Sequence, residues 1–521
     1  MDAKEPAESE EVRFEDLDLV YIFSFDLGAP VEAEDLKELL KWFSEGYKMV
    51  EGIWIPPKEF WPTPQFVYRK AEELEIEDAE KTGIEELMKN EKLREKIDSA
   101  HAIFREIISE DREAFEPEYL ELGRYARLKL TDLNVKVKNP ELGHLNELKC
   151  ELYLLLHSAG VGVLTAWIHL NESFSTDELI KIERELYKAE STIEDSFGNI
   201  AEGTLHEFIR QSVIKPLCAA ILLKEEYGSY GMVFGALKKG DITEDKIKEK
   251  LRTPYFSVRA VLCTRKHRCS GKCVTAEDAL ERHLREIAGI FVLHENWRYY
   301  REDAAKKDLG ENLSSDADYA IFVAGPTSLF LGSVMLDEEL KSEEDKELAY
   351  RSRELLLVRP MEFLSLSDMI LDVYTSVYRN KFKEIKERRK RGETVKPSEI
   401  AEIREGLMEG LEEYSNVSLF MTDPEESIME YGKERLGLSD KVGTLKSLLE
   451  ELDNMARTFY EEDLSRKQFL LAILFGIFGV FQALEYLEPK IGLSRAFAIT
   501  LTIFILSYLL YGLYPFRRKK S

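Results

Sequence analysis

The sequence predicts an α+β fold: a cytosolic body on a mixed sheet, a long stalk helix, and a C-terminal two-helix transmembrane hairpin. Three observations predict it. Apolar runs of strand and of helix period alternate through the first 350 residues. A strict heptad follows, at Leu438, Val442, Leu445, Leu449, Leu452, Ala456 and Phe459. Two oily stretches, 468–487 and 496–514, then come close to the ~30 Å needed to cross a hydrocarbon core.

Composition bounds the function. At 521 residues the chain is too long for one ordinary core. Its formal charge is −27. From Arg466 onward, eight Lys/Arg against two Glu contribute +6, which leaves −33 on the first 465 residues. Such a body repels nucleic acid polymers and attracts cations or basic partners. Only four Gln occur, at 65, 211, 468 and 482, a composition like a thermophile's. Five unevenly spaced Cys argue for a reducing compartment rather than a disulfide framework. P-loop and nucleophile-elbow motifs are absent, and "AGVGVLT" lacks the third Gly of a dinucleotide loop. The reading is not an enzyme.

Taken in order, residues 1–17 are an acidic, disordered lead. Residues 18–350 form the α/β domain, with two halves near 18–235 and 236–350. Leu19–Gly28 reads as a strand. Glu151–Leu170 reads as two strands joined at Ser158–Gly160, with a helix over Thr176–Ile193. "PYFSVRAVLCT" is a strand, Thr275–Ala288 a helix and "GIFVLHE" a strand. Asp303–Ala317 is a polar loop, and Asp318–Val334 a hairpin turning at Gly325-Pro326. Residues 351–424 make a charged helical hairpin, with helices over Met361–Lys390 and Pro397–Phe420. Residues 425–467 are the stalk, and 515–521 a basic tail.

"CTRKHRCSGKC" offers Cys263, His267, Cys269 and Cys273 as zinc ligands. The alternative is a basic loop with free thiols. Its spacing, C-x3-H-x-C-x3-C, is not a standard zinc pattern.

Arg466 and Lys467 before the first oily run, and Arg517–Lys520 after the second, place both termini on the cytoplasmic side of a multi-pass plasma-membrane protein. No Pro interrupts Ser439–Glu488, so one helix runs from stalk into bilayer. Its register continues through Asp463, Leu470, Ile473, Ile477, Val480 and Leu484, a guarded entrance and an apolar gate. The alternative is that the seam packs on the chain's own body. Gln482, Glu485 and Glu488 stand at the outer mouth, where rings of carboxylate gather cations.

This order of stalk helix, first span, short loop, second span and basic tail resembles the CorA-type divalent-cation channels. The likeness covers roughly Met361–Ser521. It implies a homopentamer in membrane lipid, with the first span lining a pore and magnesium or another divalent cation as cargo or regulator. The family's Gly-Met-Asn mouth is missing, and Gln482-Ala-Leu-Glu-Tyr-Leu-Glu-Pro489 stands there instead. Divergent CorA-like proteins also imply a second reading, an effector gated by a small nucleotide ligand. A third is a membrane-tethered scaffold without a pore.

Overall fold

The structure is a computed structural model. It describes residues 12–31, 125–323, 327–341 and 346–491 apart from short gaps, with scattered positions at 38–97 and 497–505. Two compact units emerge: Met1–Lys381 with Gly406–Leu445, and Phe382–Glu405 with Lys446–Ser521.

The first unit is built on one mixed sheet. Its strands are β1 (Arg13–Asp26), β2 (Val50–Trp54), β3 (Trp61–Pro62), β4 (Tyr125–Leu130), β5 (Leu133–Val137), β6 (Leu148–His157), β7 (Val161–Ser175), β8 (Ser191–Asp195), β9 (Ile200–Gly203), β10 (Phe256–Arg268), β11 (Tyr319–Val323) and β12 (Thr327–Gly332). The main path runs β11-β12-β10-β1-β7-β6-β4-β2-β3, and β5, β8 and β9 branch from β6. All pairs are antiparallel except β10 with β12. β1 is central and almost wholly buried, which suits its near-continuous apolar run. The Ser158–Gly160 turn joins β6 to β7 as expected, with Gly160 at φ +75° and its N–H donating to His157 O at 2.9 Å.

The helices are α1 (Ile84–Leu87), α2 (Thr176–Glu185), α3 (Leu205–Ile209), α4 (Lys215–Tyr227), α5 (Tyr230–Lys239), α6 (Glu244–Lys248), α7 (Ala276–Phe291), α8 (Glu302–Leu309), α9 (Val334–Leu340), α10 (Lys346–Lys390), α11 (Pro397–Asn416), α12 (Asp423–Arg435) and α13 (Leu438–Ile491). Capping boxes at Ser175 and Thr275 start α2 and α7 where the sequence places helix starts. Helices cover both faces of the sheet. On one, Tyr21 of β1 donates its hydroxyl to Glu183 O of α2 at 2.9 Å. On the other, α10 is fixed by Arg259 to Asp368 at 2.6 Å and by Arg265 to Glu354 at 2.8 Å.

Several elements differ from expectation. α2 ends at Glu185, because Ile193 is claimed by β8 pairing with Val135. "GIFVLHE" is the end of α7 and a turn, since Gly289 lies too close to Trp297 for any side chain between them. The polar stretch 303–317 contains most of α8.

The transmembrane hairpin is corrected. Among the described residues no helix is long and apolar enough to cross a membrane. The second run, 496–514, is described only at scattered positions, and the tail 515–521 lies outside the described residues. The membrane assignment and the multi-pass plasma-membrane location fall with the hairpin. The long helix itself is present as α13, 54 residues. Its heptad seam is partly internal: Leu438, Leu445 and Leu452 are buried within the chain itself.

Candidate functional site

The residues read as a pore lie along one helix, α13. Leu470 and Ile477 are exposed on α13, Ile473 and Val480 are half-buried, and Gln482 and Glu485 are exposed. The side chains of Asp463, Leu484 and Glu488 lie outside the described residues.

The proposed zinc ligands divide. His267, Cys269 and Cys273 come together, each offering one donor atom within 4.8 Å of the others, and Cys269 and Cys273 are joined as a disulfide. Cys263 is excluded from the group. It lies four residues before His267 on β10, about 13 Å away at ~3.3 Å per residue, and is fully buried.

A second triad, Asp18, His169 and Glu347, also holds its donor atoms within 4.8 Å. Its cation is already present as a side chain. The Arg265 guanidinium donates to Asp18 at 2.8 Å, to Glu347 at 2.6 and 2.8 Å, and to Glu354 at 2.8 Å. Burial pushes the Asp18 carboxyl up, but the His169 hydrogen bond and the Arg265 charge outweigh it and hold the group well below the usual carboxylate range. The same Asp18 bond raises His169. Burial, and then the Asp18 charge, push Glu354 up. This cluster ties β1, β7 and β10 to α10 and is a structural ion network.

The concave site lies on the opposite face, where sequence motifs gave no sign of one. A cavity of about 320 Å³ opens at the end of β1 and the start of β10. Phe25, Phe256 and His206 supply aromatic walls, Ile214, Ile247 and Leu251 an apolar floor, and Arg210, Lys215 and Lys248 the cations. His206 packs edge-on against Phe256 at 5.1 Å, and Phe256 lies 5.8 Å from Phe23. Burial lowers the His206 pKa, with Arg210 adding to the shift, so the ring is neutral at pH 7.

Local structure sets the cations. Between α3 and α4 the backbone makes one π-helical turn, Arg210–Ile214, closed by Lys215 N–H donating to Arg210 O. Such turns carry an extra residue and occur mostly at functional sites. Here the turn contributes Arg210, Gln211 and Ile214 to the cavity wall. The cations are loosely held. Arg210 lies 3.5 Å and Lys248 2.9 Å from the single carboxylate Glu244, and Lys215 lies 3.4 Å from Gln211 Oε1. Three cations against Glu244 leave local positive charge in a strongly acidic chain. Asp26, also at the cavity, is engaged by Arg252 at 2.6 and 2.9 Å.

Sequence reasoning missed this site because its residues come from seven segments between positions 25 and 256. A π-turn has no sequence signature. The one available signal was the density of Arg, Lys and Gln at 210–215 in an acidic body. No family model, curated protein or solved structure matches this chain.

Proposed function

We propose that the sheet unit is a sensor module that binds a small planar anion of the mononucleotide class. The carrying observation is one cavity that joins aromatic walls to three cations on and beside a π-turn. A base stacks on Phe256 and His206, and Arg210, Lys215 and Lys248 take the phosphate. A cavity of about 320 Å³ is at the small end of ligand pockets, which suits a mononucleotide better than a larger cofactor. The channel reading needs spanning helices and is not carried forward. What remains of the resemblance is a ligand-responsive body joined to a long helix.

The test is thermal unfolding of the full chain with purine and pyrimidine mononucleotides, the matching nucleosides, and inorganic phosphate. A ligand at 100 times its Kd adds about 2.7 kcal/mol to stability. Mononucleotides are expected to raise the Tm, with nucleosides and phosphate far weaker. Arg210→Ala and Phe256→Ala are each expected to weaken binding at least tenfold. No shift with any mononucleotide, or full binding by Arg210→Ala, overturns the reading.

A further inference from the structure

His267, Cys269 and Cys273 lie beyond the proposed ligand cavity and take no part in that reading. Their setting is specific. His267 is the penultimate residue of β10, held in register opposite Phe14 of β1, and its ring is buried. Nδ1 lies 3.0 Å from Gly332 O at the end of β12. A carbonyl only accepts, so Nδ1 carries the proton and Nε2 keeps a lone pair. That Nε2 is buried and has no hydrogen-bond partner among the described residues. A buried acceptor without a donor is unfavourable, so it needs an explanation.

The explanation lies in the two sulfurs within 4.8 Å of a nitrogen of this ring. We propose that His267, Cys269 and Cys273 form a redox-switched zinc site: a disulfide when oxidised, and a Cys2His metal centre when reduced. The Nδ1–H to carbonyl bond is of the kind that orients metal-binding imidazoles, and it leaves Nε2 to coordinate. At about 2.3 Å per Zn–S bond, two thiolates on a tetrahedral zinc stand about 3.8 Å apart, so the pair opens modestly once the S–S bond breaks. The fourth position is left for water or an incoming ligand.

The chemistry balances with a dithiol as reductant. It passes two electrons to the disulfide, becomes a cyclic disulfide itself, and its two protons go to the Cys269 and Cys273 sulfurs. Zinc then displaces those protons and binds two thiolates and Nε2. The site pins the ends of β10 and β12 to the start of α7, where Val274 O accepts from Met335 N–H at 3.1 Å. Metal loading therefore stabilises that end of the sheet.

Two measurements on the full chain test this. After reduction with dithiothreitol under nitrogen and its removal, the chain is titrated with Co2+ as a spectroscopic stand-in for zinc. One Co2+ per chain is expected, with tetrahedral ligand-field and sulfur charge-transfer bands. The oxidised chain and a Cys269→Ser/Cys273→Ser double variant lack those bands, His267→Gln weakens binding at least tenfold, and Cys263→Ser binds normally. The second measurement needs no variant: zinc slows alkylation of Cys269 and Cys273 in the reduced chain at least tenfold and leaves Cys150, Cys218 and Cys263 unchanged. Absence of cobalt uptake by the reduced wild-type chain, or equal alkylation with and without zinc, overturns the proposal.

Discussion

Glu183 of α2 is buried against the sheet, where one oxygen accepts from Thr327 Oγ1 at 2.6 Å and the other has no partner among the described residues. Burial pushes its pKa up to about 8, against partial relief from Thr327. A folded-state pKa above the unfolded value means the folded chain binds the extra proton. The stability is fully present below about pH 4.5 and is lost as pH rises through about 8. Glu183→Gln is expected to flatten that slope and stabilise the chain above pH 8 by on the order of 4 kcal/mol, seen in urea melts from pH 5 to 9. Arg265 makes the opposite case. Arg265→Met removes the guanidinium that bonds Asp18 and Glu354 and should cost about 3–5 kcal/mol at pH 7. The deficit shrinks on acidification, because the contribution of Asp18, held low in the wild type, is fully present above the unfolded carboxylate pKa and is lost as pH falls below it. At this scale the sequence was partly legible. His267, Cys269 and Cys273 stood out by residue type in one short run, whereas excluding Cys263 required knowing that β10 runs extended to Arg268.

Between helices, packing follows side chains that are absent. Gly410 of α11 faces Tyr374 of α10, and a Cβ there would fall 2.5 Å from the ring. Gly410→Ala should therefore destabilise by about 1–3 kcal/mol. Gly443→Ala on α13, where a Cβ meets nothing within 4 Å, should gain about 0.5–1 kcal/mol from helix propensity. Denaturant midpoints of the two variants check the pair. Elements with strong local signals were readable: the β6–β7 hairpin, the capped starts of α2 and α7, and α13. Those decided by distant partners were not. β8 exists because β5 pairs with it, and the apolar end of α7 imitates a strand until Trp297 is seen against Gly289. The ligand cavity failed to show for the same reason, as its walls meet only after the sheet forms.

For the whole molecule, the exposed residues of α13 matter most. Leu470, Leu471, Leu474, Phe475, Ile477, Phe478 and Phe481 are all exposed, so the helix is apolar on every side. Bare apolar surface of this extent favours association, and we expect copies of the chain to meet through it. Sedimentation equilibrium should give an oligomer for the full chain and a smaller species for a chain ending at Ser465. A monomeric full chain overturns that expectation. The heptad foretold a seam with two alternative uses, between copies or within the chain, and Leu438, Leu445 and Leu452 are buried inside the chain.

The centre of the sheet also has a history. β1 is synthesised before both strands that flank it, since Arg13 pairs with Ser175 of β7 on one side and with Arg268 of β10 on the other. At about 5–20 residues per second, the ribosome needs roughly 5–20 s to pass from the end of β7 to the end of β10. Throughout that interval a long apolar strand has one side unpaired, an open template for another nascent chain. Fragments that stop before Phe256 should therefore clump when expressed, and those that include β10 should not. The strand that anchors the finished protein is, while the chain is being made, its most adhesive part.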